Sequence, residues 1–373
     1  MTDQSTPALF TPFRLKDVTL RNRIAIPPMC QYSAENGYTN DWHQHHYASL
    51  ARGGAGLVIV EATGVAPEGR ISPACLGLWE DGQTQGLANI ANSIKAAGAV
   101  PGIQLAHAGR KASANVPWEG DDHIAADDPR GWQPIGPSPV AFGAHLPREP
   151  EAMTKADIER VKQDFVAATR RAVAAGFEWL ELHFAHGYLA QSFFSTHANK
   201  RTDEYGGDLA NRARFLLETL AAVKTVWPSN LPLTIRFGMI EYDGHDEQTL
   251  ADAIQVGKWF KEGGADFISV TVGFNIPDAQ IPWGPAFLAP LTEKVRNEVG
   301  LPVATAWGMD NPQRANDAVA TGEMDLVMVG RAYLANPHWT LCAAEALHLD
   351  NATWVLPAPY AHWLARYRPA SAE

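Results

Sequence analysis

A chain of 373 residues with 46% hydrophobic and 19% charged residues has an ordinary globular balance and can close a large core. Its net charge of −11 argues against a nucleic acid or an anionic membrane as partner, because either would favour a basic face. Three cysteines, Cys30, Cys75 and Cys342, stand far apart with no Cys-x-x-Cys pair, so a disulfide framework, a cysteine zinc site and an iron–sulfur motif lack support.

From its start the chain reads as soluble. Met1–Phe10 lacks the basic-then-apolar order of a secretory leader, and no run of about 18 apolar residues follows anywhere. A reduced, cytoplasmic setting is the expectation. Eight short apolar runs then alternate with amphipathic stretches. Taken in order they are Arg23–Pro27, Gly56–Ala62, Val100–Ala106 and Trp179–Phe184. Leu231–Phe237, Phe267–Val272, Leu301–Ala306 and Leu326–Val329 complete the series. Each is continuously rich in Val, Ile and Leu rather than alternating, as parallel strands buried on both faces should be.

The stretches between them read as helices. Thr154 and Asp157 have capping-box spacing ahead of Ile158, Val161, Phe165, Ala168, Ala172 and Val173, and Gly176 suits a left-handed helix end. Comparable glycine signals precede other strands, at Gly98 and Gly264. Eight strand–helix units without a break in composition predict an α/β fold, a single-domain (β/α)8 TIM barrel over residues 1–373. A doubly wound sheet is the alternative, but no G-x-G-x-x-G follows any strand. Two segments, 107–153 after the third strand and 188–209 after the fourth, are too long for connectors. Both leave the strand ends where barrels carry their chemistry, so they are expected to cap a site.

That chemistry concentrates in His183-Phe184-Ala185-His186-Gly187-Tyr188. A lone histidine is usually a satisfied core residue, and a lone tyrosine a packing aromatic. A zinc pair is the competing functional reading, yet the acidic ligand and helical context of H-E-x-x-H are missing. Two imidazoles converging at a barrel mouth can instead hold an oxygen that gains negative charge, and a phenol beside them can give a proton.

Several ordered motifs carry a family resemblance from Leu9-Phe10 to about Arg368. They are Arg21-Asn22-Arg23-Ile24, Pro27-Pro28-Met29-Cys30-Gln31-Tyr32, Gln104–Arg110, the His183–Tyr188 run, Tyr205-Gly206-Gly207 with Asn211-Arg212 and Arg214-Phe215, and Val329-Gly330-Arg331. In these the chain resembles the old yellow enzyme family, in its cysteine-containing subclass of the xenobiotic-reductase type. One departure is Asp208, where the family often has serine.

The resemblance implies tightly bound FMN at the barrel mouth. Pro27, Pro28, Met29, Cys30 and Ala62 would line the isoalloxazine, Gln104 would bond its pyrimidine edge, and Arg236 would place positive charge near N1. Gly308, Gly330 and Arg331 would hold the phosphate, which agrees with the general rule that loops after strands seven and eight bind phosphate in barrels. Cys30, by default a small buried hydrophobe, would tune the flavin rather than react covalently. Tyr32 and Trp307 would shape the substrate pocket. Trp363, in the segment 354–373, would reach into a neighbouring subunit's site, making a homodimer or a dimer of dimers.

The implied activity is ping-pong reduction of α,β-unsaturated carbonyl and nitro compounds by NADPH or NADH, with nitro xenobiotics as further substrates. His183 and His186 would bind the acceptor oxygen, and Tyr188 would protonate Cα. Three rivals stand beside it. A dienoyl-CoA reductase would add an iron–sulfur cluster and further domains. A Schiff-base aldolase needs a lysine at a strand end, and none is there. A non-catalytic flavin-binding protein has no need of the His183/His186/Tyr188 set.

Overall fold

The computed structural model describes residues 6–368. The first residues of the segment read for a leader, and residues 369–373 of the expected interface segment, lie outside them.

Eight parallel strands close on one another in chain order. They are β1 (Ile24–Ile26), β2 (Leu57–Gly64), β3 (Val100–Ala106), β4 (Trp179–Phe184), β5 (Leu233–Ile240), β6 (Phe267–Val272), β7 (Val303–Thr305) and β8 (Leu326–Met328). β8 pairs with β1 through Val327↔Ile24 and Met328↔Ala25, which closes the (β/α)8 barrel. The doubly wound alternative is thereby excluded. β3, β4 and β6 have the bounds that their apolar runs gave. β5 starts later than expected because Leu231 closes a turn on Pro228 and Pro232 has no N–H for a ladder.

Around the strands lie α1 (Asp41–Arg52), α2 (Thr84–Ala96), α3 (Lys155–Ala174), α4 (Leu209–Lys224), α5 (Asp246–Gly263), α6 (Ala289–Val299), α7 (Pro312–Ala320) and α8 (Trp339–Ala346). α3 opens on the expected capping box. Thr154 Oγ1 accepts from Asp157 N at 3.1 Å, and Asp157 Oδ2 accepts from Thr154 N at 2.9 Å. Gly98, Gly176 and Gly264 end α2, α3 and α5 with φ of 80°, 83° and 98°. Asp208 is the N-cap of α4, accepting from Asn211 N at 2.9 Å, a task serine performs equally well.

The barrel floor is sealed by an antiparallel hairpin, Phe13–Leu15 with Val18–Leu20. Phe13, Val18 and Leu20 pack into the barrel's lower end against Leu57, Trp179, Phe267 and Leu326. The Arg23 guanidinium lies 5.0 Å from the Phe13 ring centroid. Burying one such apolar side chain contributes about 1.5–3 kcal/mol relative to leaving it in water.

Above the floor the interior turns polar. Gln104 Nε2 donates to Glu181 Oε1 at 2.8 Å, and Ser269 Oγ donates to Glu181 Oε2 at 2.7 Å, which ties β3, β4 and β6 together. The mouth begins one step further along the strands.

Candidate active site

Two residues past Glu181, β4 presents His183, which is only 3% exposed. The chain then turns sharply. His186 and Gly187 both take left-handed backbone angles, φ 61° and 68°. A Cβ at Gly187 would lie 2.3 Å from the Phe274 carbonyl oxygen, so only glycine fits. Lys111 Nζ clamps the turn, donating to His186 O at 2.9 Å and to Phe274 O at 2.6 Å. The result is convergence. The His183 ring centroid lies 4.9 Å from that of His186 and 5.1 Å from that of Tyr188.

Charge is excluded from this trio. Burial, reinforced by the Arg236 cation, holds His183 and His186 well below the usual histidine range, so both are neutral at pH 7. Burial likewise keeps the Tyr188 phenol protonated far above its ordinary range. A neutral imidazole offers one N–H to an oxygen, and a protonated phenol can give up its proton.

Arg236, on β5, stands in register with His183. The residue is 6% exposed; its guanidinium makes no hydrogen bond among the described residues and has Glu181 as its main opposing charge. The His183 Nδ1 atom is also buried without a partner among the described residues. Arg236, with His186, lines a cavity of about 340 Å³ that opens at the top of the barrel. Pro27, Pro28 and Met29 line it from the end of β1, and Gly308, Gly330 and Arg331 from the ends of β7 and β8. Gly308 has φ 67°, and a Cβ there would lie 2.6 Å from Ala286 N. A side chain at Gly330 would meet Met29 and Pro27 within 3.3–3.5 Å and narrow the cavity.

Cys30 and Tyr32 follow on the β1 side. Glu61, 1% exposed on β2, accepts from Gln31 N at 2.8 Å and from Tyr47 Oη at 3.0 Å, which draws this segment against the barrel. The Cys30 thiol abuts the Ala62 backbone N–H and the Tyr32 hydroxyl. Burial, with Cys75 and Glu61 nearby, pushes it well above the usual thiol range, so no thiolate nucleophile stands here. A second cavity, bounded by Tyr32, Lys111, Phe142, Tyr188 and Phe274, shares His186 and Trp307 with the first.

These surroundings fit FMN. Two guanidiniums without a hydrogen bond or salt bridge among the described residues, an apolar Pro-Pro-Met wall and glycines beside Arg331 suit a flat aromatic system that carries a phosphate. A model of the NADH:flavin oxidoreductase / NADH oxidase family matches residues 8–350. The chain belongs to that family, the old yellow enzymes. It is 41% identical to the NADPH dehydrogenase of Geobacillus thermodenitrificans over 91% of this chain and 94% of that one. Against the NADPH dehydrogenase of Bacillus licheniformis it is 40% identical, over 92% and 96% of the two chains. Among solved structures, morphinone reductase superposes with a TM-score of 0.77 at 27% identity, covering 94% of this chain and 91% of that one. The old yellow enzyme homologue of Zymomonas mobilis gives 0.74 at 26%, over 92% and 93%. As a family member the chain is an oxidoreductase that works with FMN and a nicotinamide.

Most site residues named from the sequence gather at this mouth, at or just beyond the C-terminal ends of barrel strands, with Arg236 reaching it from the middle of β5. Gln104 lies deeper, 1% exposed, with its amide nitrogen committed to Glu181 and its oxygen left for another donor. Trp363 does not join its own chain's site. It stands 71% exposed on a short helix, Ala358–Leu364. The zinc reading finds no further ligand, since no group of three or more His, Cys, Asp or Glu residues is placed to hold a metal among the described residues.

Sequence reasoning missed Glu181, Lys111 and a third mouth loop, 273–288. That loop brings Phe274, whose ring lies 5.5 Å from His186, and Trp283, 5.2 Å from Trp307. The Pro-rich stretch Asn275–Pro285, between a strand and a helix, was the available signal.

Proposed function

We propose that this enzyme is an ene-reductase. It takes hydride from NADPH or NADH and reduces the activated C=C bond of α,β-unsaturated aldehydes, ketones, imides and nitro compounds, with nitro xenobiotics as further acceptors. The observation that carries the reading is the neutral pair His183 and His186 with the protonated Tyr188, set beside the buried Arg236. FMN, when bound, supplies the hydride.

The protein does the rest. His183 and His186 each offer an N–H to the acceptor's carbonyl or nitro oxygen, polarising the double bond and holding negative charge as it develops. Tyr188 gives its proton to Cα. Arg236 would offer a fixed cation to the cofactor, and Glu181 holds the Gln104 amide so that its oxygen would be free to bond it. Gly308, Gly330 and Arg331 would hold the phosphate; Pro27, Pro28, Met29, Cys30 and Ala62 would line the ring, and Cys30 would tune its potential as a neutral thiol. Tyr32 and Trp307, with the segments 107–153 and 188–209, wall the acceptor cavity and exclude water. Reductant and acceptor occupy that cavity in turn.

NADPH is favoured as reductant by the names of the relatives, and the use of a nicotinamide by the morphinone reductase structure in complex with tetrahydroNAD. A homodimer in which Trp363 completes the partner's site is supported by the exposed aromatics Trp354, Tyr360, Trp363 and Tyr367 along one C-terminal stretch. Three free cysteines suit a reducing cytoplasm. A CoA-thioester acceptor is the second reading. 2-Naphthoyl-CoA reductase superposes with a TM-score of 0.82, although the match spans only 52% of that longer chain.

The deciding experiment is a visible spectrum of the FMN-loaded enzyme titrated with p-hydroxybenzaldehyde, beside NADPH oxidation with 2-cyclohexenone. A long-wavelength charge-transfer band and enone turnover are expected. Flavin-loaded protein that shows neither band nor turnover would leave only a flavin-binding protein.

A further inference from the structure

Which nitrogen of His186 carries its proton is decided by two neighbours on β6 and the end of β7. His186 Nε2 lies 3.0 Å from Thr271 Oγ1, and Trp307 Nε1 lies 3.1 Å from the same oxygen. An indole N–H can only donate, so the Thr271 oxygen accepts from Trp307. Thr271 is 1% exposed, and its hydroxyl hydrogen meets no other acceptor among the described residues. Only two arrangements of the remaining hydrogens are then open.

If Nε2 were protonated, it would donate to Thr271 and strand the buried hydroxyl hydrogen. If Nε2 is bare, the hydroxyl donates to it, both hydrogens at the Thr271 oxygen are paired, and the one left over, on Nδ1, belongs to a ring that lines the open cavities. Stranding a buried donor carries a penalty equal to roughly a 10- to 100-fold bias in population. The bare form wins. The His186 ring lines both cavities at the mouth, and Nδ1 has no protein partner among the described residues.

We propose that Thr271 is a positioning residue that fixes His186 as its Nδ1–H tautomer, so that Nδ1–H is the donor presented to the acceptor oxygen. This rests on the reading above that His186 binds that oxygen. Strand geometry supports the assignment. The β5–β6 register slips between Thr271 and Val272, so that Thr271 faces Gly238 and Val272 faces Ile240, a bulge of the kind that re-aims side chains at barrel rims. The same oxygen ties the tautomer to Trp307. When the indole N–H leaves Thr271, the hydroxyl can rotate, and the His186 proton loses its fixed place.

Thr271→Val removes the hydroxyl at nearly constant volume, and Thr271→Ser restores it. In FMN-loaded protein labelled with 15N-histidine, the His186 resonances are assigned by their loss in His186→Gln. Wild type and Thr271→Ser should show a protonated Nδ1, and Thr271→Val a shift of the proton to Nε2. The dissociation constant for p-hydroxybenzaldehyde should rise about 10-fold or more in Thr271→Val and return in Thr271→Ser, with FMN content unchanged. A wild-type His186 protonated on Nε2, or an Nδ1 proton retained in Thr271→Val, overturns the proposal, and the wild-type spectrum decides even if the valine variant fails to fold. Failure of wild type to bind the phenol would instead count against the ene-reductase reading and leave the tautomer result standing.

Discussion

His183 and His186 meet edge to face, with an 87° interplanar angle and 4.9 Å between ring centroids, and burial, helped by the Arg236 cation, depresses the pKa of both. Two donors aimed at one point share the work of holding an oxyanion. Replacing either by alanine should slow enone reduction by about 10²–10³ and weaken phenol binding, while FMN remains bound. Stopped-flow oxidation of the reduced enzyme by 2-cyclohexenone measures this, and an unchanged rate would remove the histidines from the acceptor site.

Tyr188→Phe keeps the ring that packs against His183 and removes only the hydroxyl that carries the proton. Enone reduction should fall by roughly 10²–10⁴, while flavin reduction by NADPH stays near wild type. Comparing the two half-reactions by rapid mixing separates these outcomes. Equal rates in both would deny Tyr188 the proton-donor role.

Arg331 lines the mouth cavity beside Gly330 and has no carboxylate partner among the described residues. A charge-assisted contact to phosphate contributes about 1.5–3 kcal/mol, so Arg331→Ala should weaken FMN binding by about 10- to 100-fold. The recovery of flavin fluorescence on dilution reports release. Affinity equal to wild type would place the phosphate elsewhere.

Acid should destabilise the fold. Burial lowers His43, His46, His107 and His123 to about 4, and lowers His183 and His186 well below their usual range. All are neutral in both states above the unfolded value of about 6.5. As pH falls from there toward about 4, the unfolded chain takes up protons that the folded chain refuses, so stability falls. Glu61, raised to about 7 by burial, and the raised Glu181 and Glu241 work in the opposite sense, but they are fewer. Scanning fluorimetry should show Tm dropping between pH 6.5 and 4, and a flat or rising Tm would contradict the balance.

The barrel was legible because its strands are buried on both faces, which turns β3, β4 and β6 into uninterrupted apolar runs with readable ends. The Pro27–Met29 stretch that lines the mouth cavity and the convergent His183–Tyr188 run were legible as motifs. Glu181 was not, because one carboxylate inside Trp179–Phe184 does not disturb a strand pattern and only the fold shows what it faces. Lys111 grips a carbonyl 75 residues away, a pairing no local spacing records. Thr271 reads as an ordinary β-branched strand residue. The floor hairpin escaped notice since each of its strands has three residues, too few for a period to register.

That hairpin divides the molecule's labour along the barrel axis. The sealed end carries apolar packing that owes nothing to reactants, and every residue assigned a chemical task sits at the other. Loops at the open end can therefore be lengthened, exchanged or mutated with the foundation left intact. A scaffold of this kind can diversify its substrate range quickly, because a change that alters what enters need not alter whether the chain folds.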